Sequence, residues 1–413
     1  MTSPGGSPAT TPIGSRAEAE GYVAMVCFKH GPPRLYGVEL EWTVHHAEDP
    51  HRPLDAGQLS KALGEHAPAT LVRGSPQLPL RRGALVTVEP GGQVEISGPA
   101  TDSIPRLIDD TAADAAELTS LLLDAGLVPG GFGLDPFRAP RRILTVPRYA
   151  AMEHAFQRLG PHGPRMMCST AGLQICLDAG TGPDAADGDR SAALRWRALH
   201  DLGPALVGLF ANSRRRAGAD TGWASARTEA TFGTCAPFTE PPPLDGDPAA
   251  AWARTAMEAP VLCLRRGDTW DAPAGLTFGA WADGALPGDR PTYDDLDYHL
   301  STLFPPVRPR GYLEVRYLDA QPGDGWIAPT LLLTALMSAP LDQVLAAAEP
   351  AAGRWFPAAR EGLRDRLVLR AARDVVALGT AVLDRTGADP ELTAAVATRL
   401  QRIVDTTQGR RAS

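Results

Sequence analysis

The chain reads Tyr36-Gly37-Val38-Glu39-Leu40-Glu41-Trp42 near its amino end. Side chains of a β-strand alternate between its two faces, so this stretch predicts a strand with Glu39 and Glu41 on one face, about 7 Å apart. The other face would carry the apolar residues. Taken alone, such a strand is typical of a half-exposed sheet with a solvated acidic side. The pair gains meaning only if other acidic strands accompany it.

A second acidic stretch reads Val86-Thr87-Val88-Glu89-Pro90-Gly91-Gly92-Gln93-Val94-Glu95-Ile96-Ser97. Its Pro-Gly-Gly centre predicts the turn of a β-hairpin. If the loop runs from Gly91 to Gln93, Glu89 and Glu95 lie directly opposite each other on one face. A two-residue loop would instead send one of them to the other face. The sequence leaves this register open, and a tight turn without functional acids is the alternative.

A third alternating stretch, residues 311–319, places Glu314 and Arg316 on one face of a strand. A same-face ion pair would explain these two residues structurally. Acidic residues nevertheless recur on one face of apolar strands at three distant places in the chain. Carboxylates gathered on one sheet face repel each other unless cations hold them, and oxygen ligands without a Cys or His cluster select hard ions. The pattern therefore predicts a magnesium site on a sheet.

The composition is that of a globular chain, with 413 residues, 44% hydrophobic content and a formal net charge of -8. These values predict a sizeable core and argue against non-specific binding of nucleic acid. No apolar run reaches the roughly 18 residues of a membrane span, so we expect a cytoplasmic protein without a membrane partner. The five cysteines form no C-x-x-C pair, which argues against a disulfide framework or a structural zinc site.

Residues 1–20 are rich in small and polar residues and predict a disordered tail, with the fold beginning near Tyr22. Residues 21–409 predict a single catalytic domain of the α+β class, with a largely antiparallel sheet and a helical part from about 325 to 409. Strands are predicted at 35–43, 84–89, 93–97, 167–177, 261–264 and 312–318, and helices at 103–125, 148–159, 190–211 and 293–304.

The acidic stretches resemble the glutamate–cysteine ligases of the plant and bacterial type, within the glutamine-synthetase-like superfamily. Further matching segments follow in the expected order at 170–178, 209–213, 225–227 and 298–308. The likeness is greatest to the actinobacterial enzymes of ergothioneine biosynthesis and covers most of the span from 36 to 320. The chain departs from the plant-type pattern at Cys176, where an asparagine is expected, and at residues 228–232, which read Thr-Glu-Ala-Thr-Phe.

This resemblance implies an antiparallel sheet curved around an active site and flanked by helices. It implies that acidic side chains hold magnesium against the phosphates of ATP, with Gln174 near the same ions. Arg227 and Arg316 become candidates for binding the glutamate carboxylate or the transferred phosphate, and Arg308 a candidate for the ATP phosphates. The implied metal ligands are Glu39, Glu41, Glu89, Glu95 and Glu314.

The implied reaction joins the γ-carboxylate of L-glutamate to L-cysteine through a γ-glutamyl phosphate, with ATP as co-substrate. Such phosphoryl transfer requires positioning and positive charge, which magnesium and arginine supply. Another amine acceptor, or a non-catalytic relative that binds metal or amino acid, remains open, as does the oligomeric state, with a monomer as one option. No catalytic base can be named, because His299 lies in a helical stretch and reads as a packed histidine.

Overall fold

The computed structural model describes residues 11–182 and 190–409, in which helices surround one main sheet. The strands are β1 Tyr36–His46, β2 Leu85–Val88, β3 Val94–Ser97, β4 Leu127–Gly130, β5 Gly172–Asp178, β6 Arg215–Arg216, β7 Ala219–Asp220, β8 Val307–Pro309 and β9 Tyr312–Asp319. The helices are α1 Arg16–Cys27, α2 Ala56–Leu63, α3 Ile104–Asp124, α4 Pro147–Leu159, α5 His162–Ser169, α6 Ala192–Phe210, α7 Ala226–Thr234, α8 Pro248–Glu258, α9 Phe278–Ala282, α10 Tyr293–Leu300, α11 Ile327–Leu336, α12 Leu341–Ala348, α13 Trp355–Glu361, α14 Arg366–Ala381 and α15 Pro390–Gly409.

The main sheet has the order β2-β3-β1-β5-β9-β8, and each neighbouring pair in it is antiparallel. Strand β1 is the longest. Its first part pairs with β3 and β5, and its last four residues pair with β4. The predicted α+β class with a mostly antiparallel sheet is therefore confirmed. In the described part of the chain, no helix is both long enough and apolar enough to cross a membrane.

The apolar face of the sheet forms the core. Val38, Leu40, Ile175 and Val315 are each at most 3% exposed, as strand alternation predicts. Helix α6 packs against β9 on one side and against α12, α13 and α14 on others. Because its surroundings are protein on nearly every side, its apolar composition extends around the helix rather than along one stripe. The opposite face of the sheet, which carries the acids, is left to line a cavity.

The carboxyl-terminal part, predicted to be helical from about 325 to 409, contains α11 to α15. Pro340 separates α11 from α12, and a 3₁₀ turn at Gly362–Arg364 separates α13 from α14. Asp365 begins α14 by accepting hydrogen bonds from the backbone N–H groups of Leu367 and Val368, which leaves fewer unpaired donors at the helix start. Helices α12, α13 and α14 of this part pack on α6, and α13 also packs on α7.

The predicted disordered tail is wrong at its carboxyl end. Helix α1 begins at Arg16, not near Tyr22, and the Ser15 hydroxyl accepts a hydrogen bond from the Glu18 N–H. Ile13 is fully buried, and α1 packs on α8. The small residues of α1 hid its apolar face from sequence reasoning, because alanine and glycine contribute little to a hydrophobic period. Residues 1–10 lie outside the described part of the chain.

Two predicted strands are also different in the structure. The segment 167–177 ends as β5, which starts at Gly172, but its first residues belong to helix α5. The segment 261–264 contributes only an isolated bridge from Cys263 to Asp271. Both are short apolar runs, for which periodicity does not separate a buried strand from another buried segment.

Candidate active site

The register of the sheet brings three of the predicted acids together. Glu41 lies opposite Glu95 on β3, and Glu39 lies opposite Gln174 on β5. All four side chains line one cavity of about 320 Å³, together with Glu89. Acids separated by more than 50 positions in the sequence are therefore neighbours because β1 is the middle strand between β3 and β5.

The hairpin that carries Glu89 and Glu95 has a different register from the one considered above. The Glu89 N–H donates to the Gln93 carbonyl at 2.8 Å, so the loop is Pro90 to Gly92. Glu95 consequently lies opposite Thr87, whose hydroxyl donates to its carboxylate at 2.7 Å. The predicted direct opposition of Glu89 and Glu95 is wrong. Their shared face is confirmed, because Thr87 and Glu89 are two residues apart on one strand.

Gln174 connects the acids to an arginine. Its amide nitrogen donates to Glu41 at 3.1 Å and to Glu95 at 3.0 Å, while its amide oxygen accepts from Arg316. Glu41 also accepts the backbone N–H of Gly172 at 2.5 Å. Two of the acids are thus held in place by β5, the strand that also carries Gln174.

No described residue donates a hydrogen bond to the side-chain carboxylate of Glu39 or of Glu89, although both side chains line the cavity. Burial, followed by the charge of Glu41, raises the pKa of Glu89 to about 7. Burial and the Glu314 charge raise the pKa of Glu39. Burial and the three acidic neighbours raise the pKa of Glu95 well above its usual value. Each shift reports a carboxylate that lacks a compensating positive charge.

Glu314 has the opposite environment. It is fully buried and accepts hydrogen bonds from Arg308 Nε at 2.6 Å and Nη2 at 3.1 Å, with Arg316 Nη1 also 3.1 Å away. Burial would raise the pKa of this carboxyl, but Arg308 and Arg316 lower it to about 2. Its ligand atom lies within 4.8 Å of those of Glu39 and Cys176, yet Glu314 does not line the cavity. The structure thus assigns Glu314 to two arginines.

Arg227 is placed at the cavity by helix α7, which begins one residue earlier. Its Nη2 donates to the Arg316 carbonyl at 2.7 Å, and its Nε has no partner among the described residues. The guanidinium lies against β5: a Cβ on Gly172 would be 2.4 Å from Nη2. Arg227 is 7% exposed and lines the cavity, so an anion there could accept from it.

Asp319 explains two of the matching sequence segments. Its carboxylate accepts from the Asn212 N–H at 2.7 Å, the Ser213 hydroxyl at 2.7 Å and the Ser225 hydroxyl at 2.9 Å. The Ser213 hydroxyl in turn accepts from the Arg227 N–H at 3.0 Å. These polar residues position Arg227 and do not line the cavity.

Several cavity residues had no signal in the sequence. Arg148 donates to Ser301 through Nη1 and Nη2, both at 3.0 Å, and lies 4.9 Å from the centre of the Tyr298 ring. An apolar part of the lining comes from Met152, Met166, Phe232 and Phe304. These residues lie mostly on helices, where their types and spacing read as core. His299, by contrast, is the packed histidine expected, 3% exposed and 2.9 Å from the Ala256 carbonyl.

The α+β fold and the acid-lined face of its antiparallel sheet are those of a ligase, as the comparison with a protein family shows. The model of glutamate–cysteine ligase family 2 matches residues 35–413. The chain therefore belongs to the glutamate–cysteine ligase family, as the resemblance of its sequence motifs implied.

Relatives support this membership. Glutamate–cysteine ligase EgtA of Mycobacterium tuberculosis is 38% identical over 378 residues, covering 88% of this chain and 82% of the relative. The chloroplastic glutamate–cysteine ligase of Brassica juncea is 27% identical over 362 residues, covering 81% and 69%. A solved glutamate–cysteine ligase of Francisella tularensis, in complex with AMP, has a TM-score of 0.55 at 14% identity and covers 92% of this chain and 84% of its own. That likeness establishes a shared fold.

Proposed function

We propose that the protein joins the γ-carboxylate of L-glutamate to the amino group of L-cysteine, using ATP and forming γ-glutamylcysteine, ADP and phosphate. The observation that carries the proposal is the single cavity in which Glu39, Glu41, Glu89 and Glu95 face Arg227 and Arg316. A phosphoryl-transfer site needs acidic side chains that hold metal cations and arginines that bind the anionic groups. Family membership supplies the substrates.

The four cavity acids fit divalent magnesium. Their donors are all carboxylate oxygens, which this ion prefers, and the raised pKa values of Glu39, Glu89 and Glu95 indicate a missing positive charge. Magnesium bound there would neutralise the phosphate charges of ATP during transfer. Glu314, also predicted as a ligand, already accepts hydrogen bonds from Arg308 through both carboxylate oxygens, so we propose that it holds Arg308 and Arg316 in place.

The arginines take the anionic groups in this proposal. Arg227 offers an unpartnered Nε, and we assign it to the glutamate carboxylate or the transferred phosphoryl group. Arg316 lies beside Gln174 and the acids and shares that assignment. Arg308 lines the cavity, but Nε and Nη2 already bind Glu314, which leaves it a smaller part in holding ATP than predicted. Arg148 and Arg310 are the further arginines in the described lining.

The chemistry then proceeds in two displacements. The glutamate γ-carboxylate oxygen attacks the γ-phosphorus of ATP, and ADP leaves. The cysteine nitrogen attacks the resulting acyl carbon, phosphate leaves with the bonding electron pair, and the amine proton passes to phosphate or solvent. Arg227 and Arg316 orient the anionic groups, and the apolar lining from Met152, Met166 and Phe304 limits water in the cavity.

The acceptor side is where the chain departs from the plant-type pattern. Thr228, Thr231 and Phe232 of that variant segment line the cavity. Cys176 is close to Glu39 and Glu314. Differences here would select the amine while the acids stay unchanged. The likeness to the mycobacterial enzyme supports cysteine and a role in ergothioneine biosynthesis. The proposed location remains the cytoplasm, and a monomer remains one open oligomeric state.

Release of ADP by the purified protein tests the reaction. We expect release only when glutamate, cysteine and magnesium are all present, with γ-glutamylcysteine found by mass spectrometry in equal amount. Chelation of divalent ions should abolish turnover. ADP release with another amine but not with cysteine would overturn the proposed acceptor, and ATP turnover that survives chelation would overturn the metal site.

A further inference from the structure

A second cavity, of about 360 Å³, lies away from the acids. It forms where the segment before β1, the first turn of α6 and the residues after α11 meet. We call it the arginine pocket because Arg34, Arg195 and Arg385 line it, with Arg190 beside them. None of the described residues that line it is acidic, and none of them lines the central cavity.

Arg195 is the buried member of the arginine pocket. It is 4% exposed, and its Nε donates to the Asp178 carbonyl at 3.2 Å. No described residue accepts a hydrogen bond from its Nη1 or Nη2. Burial lowers its pKa to about 10, so the guanidinium remains charged at neutral pH. Buried polar groups are almost always hydrogen-bonded, so Nη1 and Nη2 of this buried guanidinium require an acceptor, and the pocket that Arg195 lines has room for one.

The nearest relevant carboxylate is already engaged. Asp178 bears on Arg195 electrostatically, but its Oδ2 accepts the backbone N–H groups of Arg34 and Leu35, both at 2.8 Å, and it does not line the pocket. Helix α6 adds to the positive potential, because Arg195 lies in the first turn of this 19-residue helix. The described lining of the pocket therefore contains several arginines and no acidic side chain.

The remaining lining restricts the kind of occupant. Leu35, Met337 and Pro340 give the arginine pocket an apolar wall beside the guanidinium groups. Its volume is at the lower end of small-molecule sites, which span about 300–1,000 Å³. Arginine binds planar or tetrahedral oxyanions through two parallel hydrogen bonds. We propose that the arginine pocket binds a small organic molecule that carries a phosphate or carboxylate group, at a site separate from the ligase cavity.

Calorimetric titration of the full chain with pyrophosphate and, separately, with citrate tests this proposal. The pocket variant is Arg34→Gln/Arg385→Gln, since both side chains are exposed and can be changed without opening the core. The charge-matched control is Arg73→Gln/Arg402→Gln, whose exposed arginines line neither cavity. Magnesium is omitted so that it does not bind the probes.

We expect at least one probe to bind the wild type and the control equally, and the pocket variant at least tenfold more weakly. The probe that binds identifies the oxyanion as phosphate or carboxylate. Equal affinity for wild type and pocket variant, or no binding of either probe to the wild type, would overturn the proposal. These results do not depend on ligase turnover, so failure here leaves the proposed reaction untouched.

Arginine-directed modification with phenylglyoxal, followed by peptide mass mapping, locates the bound probe. We expect the probe to slow modification of Arg34 and Arg385 and to leave Arg73 and Arg402 unchanged. Uniform protection of all four arginines, or protection of none, would contradict a site in this pocket.

Discussion

Glu39 on β1 and Glu314 on β9 lie on either side of β5 but have different electrostatic environments. The described residues give Glu39 no hydrogen-bond donor, and its pKa is raised by burial and by Glu314. The Glu314 carboxylate accepts a hydrogen bond from Arg308 and forms an ion pair with Arg316. These two arginines lower its pKa to about 2. Substitution of Glu39 should therefore lower ligase turnover, and substitution of Glu314 should lower the stability of the fold.

Replacing Glu39 by glutamine should lower ligase turnover by about 100-fold or more, since an electrostatic group aimed at the reaction is removed. Unfolding stability should stay equal or rise, because one mutually repelled carboxylate is neutralised. ADP release and a thermal melt measure the two effects, with exposed Glu65→Gln as the control. Unchanged magnesium-dependent turnover of ATP would remove Glu39 from the proposed metal site.

Replacing Glu314 by alanine should destabilise the protein by about 3–5 kcal/mol, because Arg308 and Arg316 would be left without their buried partner. Glu39→Ala should cost much less, which makes it the matched comparison. Urea unfolding monitored by tryptophan fluorescence gives both free energies. A loss at Glu314 no greater than that at Glu39 would contradict the assignment of Glu314 to the arginines.

The sequence predicted the roles of some of these site residues but not of others. Strand alternation was enough to place Glu39 and Glu41 on one face, since it depends only on local backbone geometry. It could not separate Glu314 from the other acids, because its partner Arg308 comes from β8, a strand that the sequence did not reveal. Arg148 was missed because it opens a helix and reaches the cavity only through tertiary packing.

The hairpin β2–β3 is the element whose geometry most directly sets the position of an acid. Its turn lies against the chain before β5: a Cβ on Gly91 would be 2.0 Å from the Cys168 carbonyl oxygen. The sequence predicted the hairpin, and it placed Glu89 and Glu95 on a shared face for only one of the two loop lengths considered. It could not fix the pairing, because a shift of two residues preserves every side-chain face.

Gly91→Ala should therefore destabilise the protein by roughly 1–3 kcal/mol and lower ligase turnover, because the turn and Glu89 must move away from Cys168. Gly98→Ala is the control in the same hairpin, since nothing lies within 4 Å of the added carbon. Chemical unfolding and ADP release should be measured on both. Equal stability of the two variants would show that the turn adjusts freely.

At the scale of the whole molecule, the helical carboxyl-terminal part was predictable because its two longest helices, α14 and α15, span 16 and 20 residues. The start of the fold was not, because α1 gains its stability from packing on α8 across more than 200 residues of sequence. Long-range packing also buries several histidines, among them His200 and His299.

Burial lowers the pKa of His200 and of His299 to about 4 from 6.5. Above pH 6.5 each histidine ring is neutral in the folded and in the unfolded chain, so neither ring lowers the stability. As the pH falls towards 4 the unfolded chain binds protons that the folded chain does not, so each histidine removes up to roughly 3 kcal/mol of stability. The pH dependence of unfolding should therefore be shallower in His299→Gln than in the wild type.

Glu89 changes the stability in the opposite direction, because its pKa is raised from 4.5 to about 7. As the pH falls through 7 towards 4.5, the folded chain binds a proton at Glu89 that the unfolded chain does not, which adds stability. The difference between wild type and variant isolates the histidine, and exposed His30→Gln should reproduce the wild-type slope. A slope identical in His299→Gln and wild type would contradict the assignment of acid sensitivity to this buried ring.

The carboxylate of Asp319 also limits when the active site can form during synthesis. Its partners Asn212, Ser213 and Ser225 precede it by 94 to 107 residues. A ribosome must therefore release the end of β9 before the segment carrying Arg227 acquires its anchor. A nascent chain shorter than this would contain all four glutamates of the described cavity lining but would lack the Asp319 anchor of the Arg227 segment, so competence for catalysis should arise late in translation.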